Sequence, residues 1–134
     1  MGRHVICRAS ELQPGEVKIV EAEKRSIGIF NIHSDFYALR NTCPHKGAPL
    51  CRGIITGLVV GDESLQMHMT RDGEIVRCPW HGWEFDITTG RSVYNPHRMR
   101  VRTYNVAVEQ IAEEDPSVET YPVKVEDDYI VLYV

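Results

Sequence analysis

Short runs of apolar residues, with polar residues at alternate positions, recur along the first third of the chain. Three such runs are VKIVEAE at 17–23, SIGIFNI at 26–32 and DFYALRN at 35–41. Charged or polar dipeptides at 23–24 and 33–34 separate them. Enrichment in Val and Ile, together with regularly spaced turns, is typical of antiparallel β-structure. The pattern therefore predicts an all-β fold, an antiparallel sandwich or barrel.

Helical periodicity is nearly absent from the sequence. No stretch of ten or more residues repeats its apolar positions at the spacing of a helix face. The segment SELQPGE at 10–16 predicts a single helical turn, with Ser10 as its N-cap and Pro14-Gly15 at its end.

The last third of the chain repeats one pattern, because TYNVAVE at 103–109 resembles TYPVKVE at 120–126. Both alternate with a period of two and predict two neighbouring strands. The acidic segment QIAEEDPS at 110–117 predicts an exposed loop between them. A hairpin turn at 127–128 is predicted to lead into YIVLYV at 129–134, the closing strand.

A further hairpin is predicted in the middle of the chain. The segment LQMHMTRDGEIVRC alternates apolar and polar residues around Asp72-Gly73, and this dipeptide is a strong hairpin signal. The two strands are predicted at 65–70 and 74–78.

Composition limits the class of protein. The 134 residues are 43% hydrophobic and 25% charged, which predicts one globular domain over residues 1–134. A net charge of −4 argues against nucleic-acid binding, which normally comes with a basic surplus. No signal peptide or long apolar run is evident, so we expect a cytoplasmic protein without membrane contact. Disulfides are then not expected.

Two similar loops hold half of the cysteines. CPHKGAPL begins at Cys43 and contains His45, and CPWHGWEFD begins at Cys78 and contains His81. Thiolate and imidazole together suit zinc or the iron of an iron–sulfur cluster. Proline stiffens each loop, and glycine just after the histidine lets backbone N–H groups approach a negatively charged cluster.

Together the two loops closely resemble those of the Rieske family, in which Cys-x-His and Cys-x-x-His loops hold one [2Fe–2S] cluster. The resemblance implies that Cys43 and Cys78 ligate one iron, and that His45 and His81 ligate the other, more exposed iron. It also implies the Rieske fold, with a cluster-binding lobe at about 42–96 inserted in an antiparallel base. A structural Cys₂His₂ zinc site is the alternative, although such sites usually pair like residues within a loop.

The chain departs from the respiratory, high-potential branch of that family. Ala48 and Trp80 stand where that branch has two disulfide-forming cysteines, and Trp83 and Phe85 stand where it has a serine and a tyrosine. Without those hydroxyl donors the cluster keeps more uncompensated negative charge, which lowers its potential. We expect Trp80, Trp83 and Phe85 to shield the cluster and pack the lobe, and a role of either Trp as an electron conduit is the alternative.

The resemblance also bears on function. Rieske oxygenases join this domain to a catalytic domain with a mononuclear iron, and residues 87–134 hold only one further histidine, His97. We therefore expect a ferredoxin that relays single electrons from a reductase to an oxygenase and is not an enzyme on its own. A small subunit of an assimilatory nitrite reductase and a redox-sensing module are the alternatives.

Several further features carry weaker expectations. Cys7 and Cys51 are expected to pack as small hydrophobic residues. The segment 94–96 is expected to cover the cluster. Between His45 and Cys78 lie 32 residues, more than is usual in the family, so an extra hairpin at 54–76 is expected to lengthen the lobe. This hairpin has either a structural role or a role in choosing partners.

An alternating arginine pattern precedes the last third of the chain. The arginines are predicted to share one face of a strand, which is either a solvated edge or a docking face for an acidic partner. They are Arg98, Arg100 and Arg102.

Overall fold

The computed structural model describes residues 2–61, 66–115 and 123–134, and its regular structure is almost entirely β. Within these ranges the chain forms nine strands and two short 3-10 turns. None of the helices in the described ranges is long and apolar enough to cross a membrane. The strands are β1 (Arg3–Arg8), β2 (Val17–Ala22), β3 (Arg25–Ile32), β4 (Asp35–Arg40), β5 (Ile54–Gly61), β6 (Met67–Arg77), β7 (Glu84–Asp86), β8 (Thr103–Asp115) and β9 (Val123–Tyr133).

A six-stranded antiparallel sheet forms the base, in the order β1-β9-β8-β4-β3-β2. The predicted turns of β2–β3 and β3–β4 are confirmed. Both central residues of each turn have positive φ, 50° and 64° at Glu23 and Lys24, and 50° and 74° at His33 and Ser34. Such turns match the right-handed twist of the strands that they join.

The predicted loop after β8 is wrong over residues 110–115, which continue β8. The predicted turn at Asp127-Asp128 is also wrong, because these residues lie inside β9 and pair with Ile111 and Gln110 of β8. Polar side chains fit here because this part of the ribbon is open to solvent, with Gln110 and Asp128 exposed. The predicted elements at 116–117 and 120–122 lie outside the described residues.

A smaller sheet has the order β5-β6-β7; β5 and β6 lie between the two Cys/His loops in the sequence, and β7 directly follows the second loop. The expected extra hairpin is confirmed as β5–β6, but Asp72-Gly73 is not its turn, because β6 runs through it. Thr56 pairs with Ile75 and Leu58 pairs with Thr70, so residues 71–74 bulge opposite Gly57. The dipeptide therefore supplies a β-bulge, with a φ of 83° at Gly73. Residue 65 of the predicted strand lies outside the described residues.

The predicted helical turn is a 3-10 turn at Ala9–Glu11, with Arg8 rather than Ser10 at its N-cap. The Arg8 backbone N–H donates to the Glu11 carboxylate over 3.2 Å. Ser10 lies inside the turn because β1 leads directly into it, and the prediction of Ser10 as the cap is wrong. The second 3-10 turn is Leu50–Arg52.

The core has two parts, one on each face of β3. Ile27 and Ile29 pack inside the base, whereas Phe30 and Ile32 pack with the loops that follow β4 and β6. Alternation along a strand sends these side chains to opposite faces. The second part of the core therefore joins the base to the lobe. It includes Cys43, Ala48, Leu50, Cys51, Val76, Cys78, Phe85, Ile87 and Val101.

Gly28 is a point of close contact between the base and the lobe. A Cβ atom built on Gly28 would lie 2.5 Å from Sγ of Cys51, which is buried in the core that joins the base to the lobe. We expect Gly28→Ala to lower the free energy of unfolding by about 1–3 kcal/mol, because the packed core cannot move away. Gly61→Ala, where the nearest atom is the flexible Met67 sulfur at 3.2 Å, is the control and should change it little. Urea denaturation measures both; equal stability of the two variants would contradict this packing.

Candidate metal centre

The two Cys/His loops have the same backbone conformation. We call residues 43–48 loop 1 and residues 78–83 loop 2. In each, the cysteine N–H donates to the carbonyl of the last residue, over 2.8 Å in loop 1 and 2.7 Å in loop 2. Gly47 and Gly82, each four residues after the cysteine, donate back to the cysteine carbonyl over 2.8 and 3.1 Å. Both glycines have positive φ, 79° and 73°, which explains why glycine stands there.

The cysteines lie at the inner side of the loops. Cys43 is 1% exposed and Cys78 is 3% exposed. Cys43 comes shortly after β4, and Cys78 comes directly after β6. Burial raises the pKa of the Cys43 thiol, and the neighbouring Cys78 side chain raises it further. Backbone N–H groups of His45 and Lys46 act in the opposite direction, because they donate to the Cys43 sulfur. The two sulfurs therefore lie next to each other with amide groups directed at one of them.

The histidines lie on the outer side of the same loops. His45 is half-buried and His81 is exposed, and their ring centroids are 5.3 Å apart at an angle of 88°. The histidine is the second residue after the cysteine in loop 1 and the third in loop 2, which breaks the symmetry of the two loops. The Nδ1 atom of His45 is buried and has no hydrogen-bond partner. Buried nitrogen atoms without a partner are rare, and a metal ion would satisfy this one.

The arrangement fits a two-iron cluster better than a single metal ion. Nowhere in the described ranges do three or more His, Cys, Asp or Glu side chains converge on one point. A structural zinc site needs four ligands around one ion, whereas a mixed-ligand [2Fe–2S] cluster takes two from the protein at each iron. A pair of adjacent sulfurs and a pair of adjacent imidazoles match the second requirement.

Aromatic side chains flank the histidine side. The Trp83 ring stacks on His45 at 4.9 Å, and Tyr94 meets Trp83 edge-on at 5.8 Å. Phe85 is fully buried, so packing is confirmed for Phe85 and in part for Trp83, whereas Trp80 is 58% exposed and does not pack in the core. Tyr94 lies beside loop 2 and is itself 84% exposed. The segment 94–96 therefore reaches the loops through Trp83.

The remaining cysteines have the expected structural character. Cys51 is fully buried in the lobe core, its N–H donates to the Asn41 side chain over 2.8 Å, and burial raises its pKa to about 12. Cys7 is half-buried, and burial raises the pKa of its thiol as well. All four cysteines are free.

An ion-pair cluster beside loop 2 has no counterpart in the sequence predictions. Arg71, in the bulge of β6, donates to Asp86 of β7 over 2.9 Å and to Glu74 over 3.2 Å. Thr88 donates to the same Asp86 carboxylate through its hydroxyl, over 2.7 Å, and through its N–H. The bulge at Asp72-Gly73 thus turns Arg71 across the sheet. The only signal in the sequence was that dipeptide.

This cluster predicts an acid-sensitive contribution to stability. Burial alone would raise the pKa of Asp86, but the hydrogen bonds from Thr88 and Arg71 outweigh it and hold that pKa below its usual value. The stabilising effect of the ionised Asp86 carboxylate is fully present above the pKa of about 4 that this group has in the unfolded chain. It is lost as the pH falls through the lower pKa that Asp86 has in the folded protein. We expect Asp86→Asn to cost about 1–3 kcal/mol at neutral pH and much less in acid. Urea unfolding at several pH values tests this, with the exposed Asp72→Asn as control; a cost independent of pH would contradict it.

Comparison with known proteins places the chain in a family. A family model described as the Rieske [2Fe-2S] domain matches residues 2–105. Among curated proteins, Ferredoxin CarAc of Metapseudomonas resinovorans is 27% identical over 106 residues, which cover 78% of this chain and 84% of that protein.

Two solved structures support the same fold. One is a complex of reduced oxygenase and oxidized ferredoxin in carbazole 1,9a-dioxygenase, with a TM-score of 0.60, 27% identity, and coverage of 79% of this chain and 93% of the matched chain. The other is described as a "putative nitrite reductase NADPH (small subunit)", with a TM-score of 0.64, 19% identity and full coverage of both chains. At that identity the second likeness shows the fold alone. Since the family match spans most of the sequence, the chain belongs to the Rieske [2Fe–2S] domain family and binds one [2Fe–2S] cluster.

Proposed function

We propose that this chain is a ferredoxin that carries single electrons from a reductase to an oxygenase. The observation that carries the proposal is the division of the site: two buried sulfurs on the inner side, two imidazoles on the surface side. The [2Fe–2S] cluster supplies reversible one-electron chemistry when bound. A partner that docks on the surface side therefore meets imidazole rather than thiolate.

Each residue of the site has a distinct proposed role. Cys43 and Cys78 would hold one iron as thiolates, in a buried position that excludes water. His45 and His81 would hold the other iron through their imidazole nitrogens. The amide groups directed at Cys43 stabilise the negative charge that the thiolate brings, which is how hydrogen bonds to ligands tune such centres.

The proposed division of the chain follows from the same elements. We propose one domain over residues 1–134, whose cluster-binding lobe spans about 42–96 and includes both loops and the sheet β5-β6-β7. The shared core that includes Phe30, Cys43 and Cys78 supports a lobe fixed to its base. Four free thiols fit a reducing compartment, and we propose the cytoplasm.

Similarity to known proteins supports the proposed partners. The curated relative is named a ferredoxin, and the solved complex pairs a ferredoxin with an oxygenase. Neither name identifies a reductase, so the donor rests on the chemistry: a one-electron carrier must be reduced by another protein before it can reduce its acceptor.

Anaerobic electron transfer tests this function directly. The holoprotein, reduced photochemically, is mixed with one equivalent of an oxidised Rieske oxygenase or of an oxidised sirohaem nitrite reductase. We expect reoxidation by the oxygenase, with one electron leaving per chain and the oxygenase centre gaining it. Transfer to the nitrite reductase alone would favour a subunit of that enzyme, and no transfer to either would contradict a relay function.

The reduction potential is expected to fall in the lower half of the Rieske range, which runs from about −150 to +300 mV. The physical reason is that neither Trp83 nor Phe85 carries a hydroxyl that could donate to the cluster or its ligands. A spectroscopic redox titration of the holoprotein measures the midpoint. A midpoint near the positive end of the range would contradict the expectation.

A further inference from the structure

A short antiparallel hairpin beside loop 2 has one buried face and one exposed face. The Ser92 N–H donates to Met99 over 3.0 Å, and Val101 donates to Gly90 over 2.7 Å. Ser92 is buried and Met99 packs on the core, whereas the residues that alternate with them point to solvent. Arg98 and Arg100 of the predicted arginine pattern lie on this exposed side, but the predicted strand is wrong, because the bridge between Arg91 and Arg100 is the only β-pairing of residues 98–102. Arg102 lies instead over the Tyr104 ring, 5.4 Å from its centroid.

The exposed face carries positive charge without a counter-charge. We call Arg91, Arg98 and Arg100 the arginine face. Arg91 and Arg100 lie directly opposite each other, an arrangement of like charges that destabilises an antiparallel pair. Residues 87–102 contain no Asp or Glu, although the whole chain has a net charge of −4.

Nearby carboxylates are already used. Glu84 lies 3.6 Å from Arg77, and Asp86 lies 2.9 Å from Arg71. Over the part of the chain that the structure describes, the arginine face forms no ion pair. A destabilising row of unneutralised charge is relieved when a partner supplies the carboxylates.

The hairpin that carries the arginine face also lines a groove next to the proposed metal centre. The groove has a volume of about 510 Å³ and is lined by His81, Gly82, Trp83, Glu84, Val93 and Tyr94, of which Glu84 is already paired with Arg77. Val93 and Tyr94 belong to the same hairpin as the arginines, and both are exposed. An exposed Tyr and a half-buried Trp beside Arg match the composition that protein interfaces favour.

We propose that the arginine face and this groove together dock an acidic redox protein. Carboxylates of the partner neutralise the arginine face, and the groove brings the partner against His81 and Trp83. Because Trp83 stacks on His45, both histidines lie close to the docked surface. The proposal rests on the proposed electron-carrier function and adds the charge of the partner and the place where it docks.

Stopped-flow reduction of cytochrome b5, an acidic haem protein, provides the test. One electron passes from the reduced holoprotein to the ferric haem, which becomes ferrous, while the chain returns to its oxidised form. We expect the second-order rate constant to fall as ionic strength rises from about 10 to about 500 mM, because salt screens the attraction. Basic cytochrome c is the comparison acceptor, and its rate of reduction should not fall when charge is removed from the arginine face.

Charge removal from the arginine face should reduce that rate. For Arg91→Gln/Arg100→Gln we expect a loss of about tenfold or more with cytochrome b5 at low ionic strength, and little remaining salt dependence. Arg8→Gln/Lys18→Gln removes the same charge from the edge strands β1 and β2 and should change the rate by less than about twofold. The midpoint potential and visible spectrum of both variants should match those of the parent protein.

The outcomes separate this inference from the proposed function. Equal rates for the two double variants, with the cluster intact, would overturn the docking face and leave the electron carrier standing. A chain that reduces neither cytochrome would overturn both. Binding of a 20-base-pair DNA duplex that is lost only in Arg91→Gln/Arg100→Gln, with unchanged reduction of cytochrome b5, would assign the face to nucleic acid and overturn the proposal.

Discussion

Replacing Cys78 by alanine is expected to abolish cluster binding, so that the purified protein loses its visible absorption and its iron falls from about two atoms per chain to almost none. Cys78 is 3% exposed and its sulfur lies beside that of Cys43. A methyl group cannot replace a thiolate ligand, and the buried site offers no water to complete the coordination. Cys43→Ala should behave in the same way.

The chain contains its own controls for this prediction. Cys51→Ala and Cys7→Ala also remove one thiol each, but Cys51 packs against Gly28 and Cys7 lies in β1. Both variants should retain full iron content and an unchanged visible spectrum. Iron and sulfide analysis of the four single variants decides the matter. Loss of the cluster in Cys51→Ala but not in Cys78→Ala would refute the ligand assignment.

Replacing His81 by cysteine is expected to keep the cluster and to lower its reduction potential by on the order of 100 mV or more. A thiolate in place of a neutral imidazole adds negative charge to the cluster, which favours the oxidised state. His81 is exposed, so the side-chain exchange does not disturb the core. A redox titration followed by visible absorption measures the shift.

His97→Cys is the matched control for this shift, because His97 is also exposed and also lies outside the strands. Its potential should equal that of the parent protein. An unchanged potential in His81→Cys would show that the imidazole of His81 is not a ligand.

Local signals in the sequence predicted the elements whose partners are adjacent. The turns at 23–24 and 33–34 join strands that pair with each other directly, so the alternation and the turn dipeptide agree. The predicted hairpin turns at Asp72-Gly73 and Asp127-Asp128 were wrong, because each dipeptide lies opposite a strand that the local pattern did not predict. That strand is β5 in the first case and the end of β8 in the second. Long-range pairing decides such cases and leaves no trace in a local pattern.

In the candidate site, too, features within one loop could be predicted and contacts between elements could not. The four candidate ligands and the two glycines were evident, because each loop encodes them within a few residues. The clamp of Arg71 on Asp86 and the stacking of Trp83 on His45 were not, because each joins different elements. Arg91 is absent from the predicted arginine pattern for the same reason, because its place in the arginine face depends on its pairing with Arg100.

Electron paramagnetic resonance of the dithionite-reduced holoprotein, with nitrogen couplings resolved by electron–nuclear double resonance, tests the proposed cluster and its ligands most directly. We predict a [2Fe–2S] signal with a low average g value and two imidazole nitrogen couplings, one of which disappears in His81→Cys. A signal without nitrogen couplings would contradict the proposed ligands, and a silent protein that contains zinc would contradict the cluster itself.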